Sequence, residues 1–162
     1  MIRLAVPDDG PVLMALGSQF HDEAGYGAQF PFDPVSFAHT VAALGPRGLV
    51  LVAEMDGRII GMAAADVAPM ISNHSVMMAR EVFWYVLPPF RKGIGRKMFS
   101  ALELLVSEHG AVMFDAVAEE GKRSEALARL YRAAGFSPAE RTFRKVLTQG
   151  AEPCLQHQSS AA

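Results

Sequence analysis

The sequence predicts one mixed α/β (α+β) domain, with a single, mostly antiparallel central sheet flanked by helices. Three observations predict it. Asp56–Gly57 separates two strand-like runs, the signature of a tight β-hairpin. A β-former run at 81–87 is closed by Pro88–Pro89, followed by helical periodicity and then by a second apolar run at 111–118. That sequence of elements is a parallel crossover. Finally, 162 residues with 51% hydrophobic and 20% charged side chains are enough to bury one core without a metal or a disulfide.

Each element follows in order. Residues 2–6 read as a strand. Pro7–Asp8–Asp9 is a helix start, and Val12, Leu13, Leu16 and Phe20 recur at helical spacing, so the first helix covers about 8–23. Gly25, Gly27, Pro31 and Pro34 break the chain into a loop. Asp33 caps a second helix that starts at Pro34, carries Phe37, Val41 and Leu44, and ends near Gly45. Strands at 49–55 and 58–66 flank the Asp-Gly turn. Residues 67–78, with Pro69, Ser72, Asn73 and His74, are expected to form a long connection.

The strand at 81–87 leads into a helix at 93–108, with Ile94, Met98, Leu102, Leu105 and Val106 as its buried stripe. The run at 111–118 is expected to be a strand buried on both faces. A helix at 124–134 places Leu127, Leu130, Tyr131 and Ala134 on one face, with Gly135 as its stop. Residues 142–147 read as a last strand. The predicted order is β-α-α-β-β-β-α-β-α-β, one domain over 1–147, with a loosely ordered polar tail at 148–162.

A net charge of −2 gives no global attraction to nucleic acid or to an anionic membrane, so any anion must be held by a local basic cluster. The single cysteine, Cys154, forbids an internal disulfide and a cysteine-built zinc site. The five histidines show no metal-ligand spacing, so no metal is expected. With neither a signal-peptide h-region nor a run of membrane-span length, the expectation is a cytoplasmic protein.

One such basic cluster sits in a telling place. Arg91, Lys92 and Arg96 surround Gly93–Ile94–Gly95, where a strand gives way to a helix. Glycines permit close approach, and a helix start offers unpaired N–H groups and the positive end of its dipole. The loop therefore suits a diphosphate. It is not a dinucleotide fingerprint, since Met98 occupies the third glycine position, and it lacks the Gly-Lys-Ser/Thr of an NTP loop. From the glycines alone, a phosphate site and a plain tight turn are equally supported.

The segment from Val86 to Arg96 resembles the cofactor motif of the GNAT superfamily of N-acetyltransferases, a strand ending in Val-x-Pro followed by Gly-x-Gly and an amphipathic helix. Leu130–Tyr131–Arg132–Ala133–Ala134–Gly135–Phe136 resembles the late helix of the same family. The order of elements matches over about 1–147. Phe83–Trp84–Tyr85–Val86 is also similar to small phage and prophage members. Two departures stand out. Arg91 lies two residues before Gly93, where the family usually has three, and Ser124 stands where the family often has Asn.

The resemblance implies direct transfer of an acetyl group from acetyl-CoA to the primary amine of a small-molecule or peptide acceptor. It implies cofactor contacts at Trp84, Tyr85 and Val86 through the strand backbone, and at Arg91, Lys92, Gly93, Ile94, Gly95, Arg96 and Ser124. Tyr131 falls on the position of the acid that protonates the departing thiolate, and Glu81 is a candidate base. The aromatic residues Phe20, Tyr26, Phe30, Phe32 and Phe37 fall where the family walls its acceptor, and equally suit a core cover. A non-catalytic acyl-CoA-binding sensor or interaction module is the alternative reading, and a homodimer is left open.

Overall fold

Five strands pair in the order β1-β2-β3-β4-β5: β1 (Ile2–Leu4), β2 (Val50–Met55), β3 (Arg58–Met70), β4 (Asn73–Val86) and β5 (Ala111–Asp115). The first three junctions are antiparallel and the β4–β5 junction is parallel. The helices are α1 (Gly10–Glu23), α2 (Pro34–Leu44), α3 (Arg91–Glu108) and α4 (Ser124–Ala133). This computed structural model describes residues 1–118 and 124–147. The expected tail at 148–162 lies outside them.

The second helix forms as its cap dictates. Asp33 accepts a hydrogen bond from the Val35 N–H at 3.0 Å, and Pro34 follows it at the first helical position. Asp9 ties the start of α1 to β1. Its carboxylate accepts from the Val6 N–H at 2.8 Å and receives two guanidinium hydrogen bonds from Arg3, at 2.7 and 3.0 Å. Asp9 is 6% exposed, and the Arg3 hydrogen bond is the main cause holding its carboxyl below the usual range. A depressed folded-state value gives stability above the unfolded value of about 4, lost as pH falls through the folded one. Asp9→Asn should therefore cost about 1–3 kcal/mol at neutral pH and flatten the acid limb of a stability-versus-pH curve. An acid limb as steep as wild type would exclude Asp9 as its source.

Two faces of the sheet carry two packing layers. On one, Phe37 meets Phe83 at 5.3 Å and Phe20 meets Tyr85 at 6.2 Å, so α1 and α2 cover it. On the other, Phe99 of α3 is 1% exposed and touches Trp84, Phe114, Tyr131 and Phe136, with centroids 5.0–5.7 Å apart. Full burial of such a ring contributes about 1.5–3 kcal/mol, and here it also locates Trp84 and Tyr131.

Three expectations are corrected. Residues 67–78 are not a long connection. β3 and β4 run on to a two-residue turn at Ile71–Ser72, pairing Val67 with Ala79 and Pro69 with Met77. Turn-forming residues clustered there, but backbone pairing carried the strands past them. β5 is not buried on both faces, since Val112 is 72% and Met113 39% exposed, and it ends at Asp115. Residues 142–147 form no strand: no ladder partner among the described residues engages them, and Phe143 and Leu147 are exposed. A β-pattern becomes a strand only where a neighbour completes its hydrogen bonds.

Candidate active site

β4 is the strand that makes the site. It pairs in parallel with β5 only from Met77↔Ala111 to Arg80↔Asp115. Beyond Arg80, β4 continues six residues to Val86 with β3 on one side and, among the described residues, nothing paired on the other. The cause is a bulge. Ala64 pairs with Phe83 and Ala65 with Glu81, so Val82 is an extra residue on β4. A bulge bends and twists its strand, and here it opens a V between β4 and β5 with its vertex at Glu81.

The bulge also breaks the two-residue alternation that would put Glu81 on the face of Phe83 and Tyr85. Glu81 instead reaches Tyr131, which packs with Trp84 and Phe99 on the α3 side.

The open edge has a defined polarity. The Leu87 N–H donates to the Ile60 carbonyl at 2.9 Å, and residues 83–86 keep one register with β3. In an antiparallel ladder, alternate residues point their amides to opposite sides. Trp84 and Val86 therefore direct N–H and C=O groups into the opening, and Tyr85 turns its own toward β3. Of the three expected backbone contacts, Trp84 and Val86 lie on the cleft edge.

At the vertex, the Tyr131 hydroxyl lies 3.1 Å from Glu81 Oε2 and 3.0 Å from the Val117 carbonyl oxygen, to either of which it can donate. The Val117 N–H donates to Glu81 Oε2 at 3.3 Å. Val117 follows β5, so this knot spans the V just past its last paired residues. Tyr131 is buried. Burial first, then the Glu81 charge and their hydrogen bond, hold its phenol far above the ordinary tyrosine range. Tyr131 is thus a protonated donor at any ordinary pH. Sequence reasoning missed Val117, whose contribution is a carbonyl and an amide, groups every residue possesses.

The glycine loop closes the other end of β4. A 3₁₀ turn at Pro88–Phe90 leads into α3, whose helical geometry is broken at Lys92 (ψ 93°) and Gly93 (φ 85°), so regular helix starts at Ile94. Gly93 needs its missing side chain, since φ 85° is strained for an L-residue. A Cβ there would meet no protein atom within 4 Å, so the space outside it is open. Lys92 and Arg96 are exposed beside it, and Ile94 is half-buried. Gly95 plays a different part. A Cβ there would lie 3.2 Å from Cζ2 of Trp84, so Gly95 lets the indole pack under the first turn of α3.

The indole Nε1 is buried and has no hydrogen-bond partner among the described residues. Arg91, expected at the phosphate, points elsewhere: to Glu23 Oε2 at 2.6 Å and the Val86 carbonyl at 2.8 Å. Ser124 is the first residue of α4.

An open strand edge, a glycine cradle at a helix start and two exposed cations suit a ligand with an amide-bearing arm and a diphosphate. Family comparison agrees. The acetyltransferase (GNAT) domain profile matches residues 46–138, more than half of the chain.

The chain belongs to the GNAT acetyltransferase family.

Solved structures share its fold. A predicted acetyltransferase from Clostridium acetobutylicum, solved with acetyl-CoA, superposes with a TM-score of 0.72 at 18% identity, covering 94% of this chain and 99% of that one. An aminoglycoside acetyltransferase from an uncultured soil metagenomic sample gives 0.68 at 18% identity, covering 91% and 98%. A transcriptional regulator from Bacillus halodurans gives 0.72 at 18%, covering 91% and 99%. No curated protein matches by sequence. As a GNAT member the protein is an acyl-CoA-dependent acetyltransferase, and its sheet is the mixed, mostly antiparallel one predicted. No helix among the described residues is long and apolar enough to cross a membrane.

Proposed function

We propose that this GNAT protein transfers an acetyl group from acetyl-CoA directly to a primary amine, with Tyr131 as general acid and Glu81 as base. The observation that carries this reading is the Tyr131–Glu81–Val117 knot at the vertex of the V. Bound acetyl-CoA supplies the activated carbonyl and a thiolate leaving group. Gly93, Ile94, Lys92 and Arg96 hold the diphosphate, Gly95 keeps the indole seated beneath that turn, and the Trp84 and Val86 backbone orients the pantetheine arm. An amide of that edge polarises the reacting carbonyl.

Glu81 removes a proton from the incoming amine. Its neutralisation abolishes the charge that helps hold Tyr131 protonated. The phenol becomes a stronger acid once the base has acted, and it can pass its proton to sulfur. The 3.1 Å hydrogen bond then returns the Glu81 proton to Tyr131. The acid is thereby restored without a separate proton donor from solvent.

The acceptor lies against a chain of rings on α1, α2 and their connection. His21 is 5.7 Å from Tyr26 and 5.6 Å from Phe32, Phe32 is 5.7 Å from Phe37, and Phe37 packs on Phe83. Such a wall fits an amine with an apolar portion. Millimolar acetyl-CoA should raise the melting temperature in a dose-dependent way. A panel of primary amines should then reveal at least one that releases free thiol. Absence of a thermal shift would overturn the cofactor assignment. A shift with no thiol release across aromatic, aliphatic and peptide amines would favour a binding module.

A further inference from the structure

We propose that Arg91 is a positioning residue, a clasp that locks the end of α1 to the donor strand β4, and not a phosphate ligand. This rests on the acyl-CoA reading of the cleft. Arg91 precedes the break at Lys92 and Gly93 and its side chain reaches α1, while Lys92, within the break, and Arg96, after it, stay exposed. Its Nε donates to the Val86 carbonyl at 2.8 Å, the last cleft-facing carbonyl of β4. Its Nη2 donates to Glu23 Oε2 at 2.6 Å. Its guanidinium lies 5.4 Å from the centroid of the Tyr85 ring. Tyr85 is in edge contact with Phe20, one turn before Glu23 on α1.

Three different contacts thus hold one guanidinium between the donor strand and the last turn of α1. Both ion-pair side chains are about a quarter exposed, at 27% and 28%, so the pair is less screened than a surface one. The last turn of α1 leads directly to Tyr26 and Phe32, in the proposed acceptor wall. A planar fork is what such a site demands, since it serves a carbonyl and a carboxylate at fixed angles while stacking on a ring.

The clasp predicts that occupancy of the donor cleft is felt at the acceptor wall. In wild type, acetyl-CoA should slow backbone hydrogen exchange both at 94–98 and at 20–33. In Glu23→Gln and in Arg91→Gln, protection at 94–98 should persist and acetyl-CoA affinity should change by less than about threefold, while ligand-dependent protection at 20–33 drops at least about fivefold. The double variant should look like Arg91→Gln alone, because the Glu23 contact is already lost with the guanidinium. With an amine identified in the thiol-release screen, the effect should appear in the acceptor KM and not in kcat.

Arg91→Gln weakening acetyl-CoA tenfold or more while Glu23→Gln does not would overturn the proposal and make Arg91 a phosphate ligand. Protection at 20–33 surviving in both variants would also overturn it. Failure of wild type to bind acetyl-CoA at all would instead remove the cofactor reading. Faster unliganded exchange at 20–33 in both variants would then still show the clasp.

Discussion

Tyr131→Phe should lower single-turnover acetyl transfer by about 10²-fold or more, the scale of a positioned acid. The substitution keeps the ring that packs against Phe99 at 5.0 Å and Phe136 at 5.8 Å, and removes the hydroxyl bonded to Glu81 and Val117. Acetyl-CoA affinity should hold, because the proposed cofactor contacts at the strand edge and glycine loop are untouched. A rate lost without binding marks an interaction made in the transition state. Single-turnover rates are the fair measure, since product release can mask a chemical step in kcat. A variant with the wild-type single-turnover rate would strike Tyr131 from the mechanism, leaving its hydroxyl a strut across the V.

Gly93→Val should abolish the acetyl-CoA thermal shift. Two costs coincide. The φ of 85° is strained for any residue with a Cβ, and worse for a branched one. The added atoms would also fill the open space in front of the helix start, where the proposed diphosphate site lies. Strain alone would lower the melting temperature without touching the ligand. Gly110→Val separates the two effects. Gly110 has φ 82° and open space around its Cβ position, but it lies between α3 and β5, away from the loop. It should lose stability and keep its response to acetyl-CoA. A Gly93→Val protein that still shifts by the wild-type amount would remove the cradle from the cofactor site.

Local signals proved sufficient where the physics is local. Asp33 and Pro34 cap α2 through a contact two residues long, and the Asp56–Gly57 turn joins β2 and β3 where the dipeptide predicts. Long-range pairing defeated the reading elsewhere. The 67–78 stretch looked like a loop because Pro69, Ser72 and Asn73 are turn formers, but two strands of 13 and 14 residues support one another across it. The 142–147 run has strand-like residues and, among the described residues, no strand beside it, so it stays irregular.

By itself the sequence determined the four helices, the mixed sheet with its parallel crossover and the glycine loop at the start of α3. Those features depend on backbone preferences, periodicity and side-chain chemistry, all carried within a few residues. Tertiary structure alone decided the arrangement that makes them a site. The bulge at Val82 opens the V and turns Glu81 toward Tyr131, 50 residues away. Val117 joins them through its backbone, which no residue type advertises. Arg91, one position out of the expected spacing, finds Glu23 68 residues earlier instead of facing the glycine cradle. Each depends on where distant backbone segments come to rest, and that is settled by packing around Phe99 and by strand pairing across the sheet.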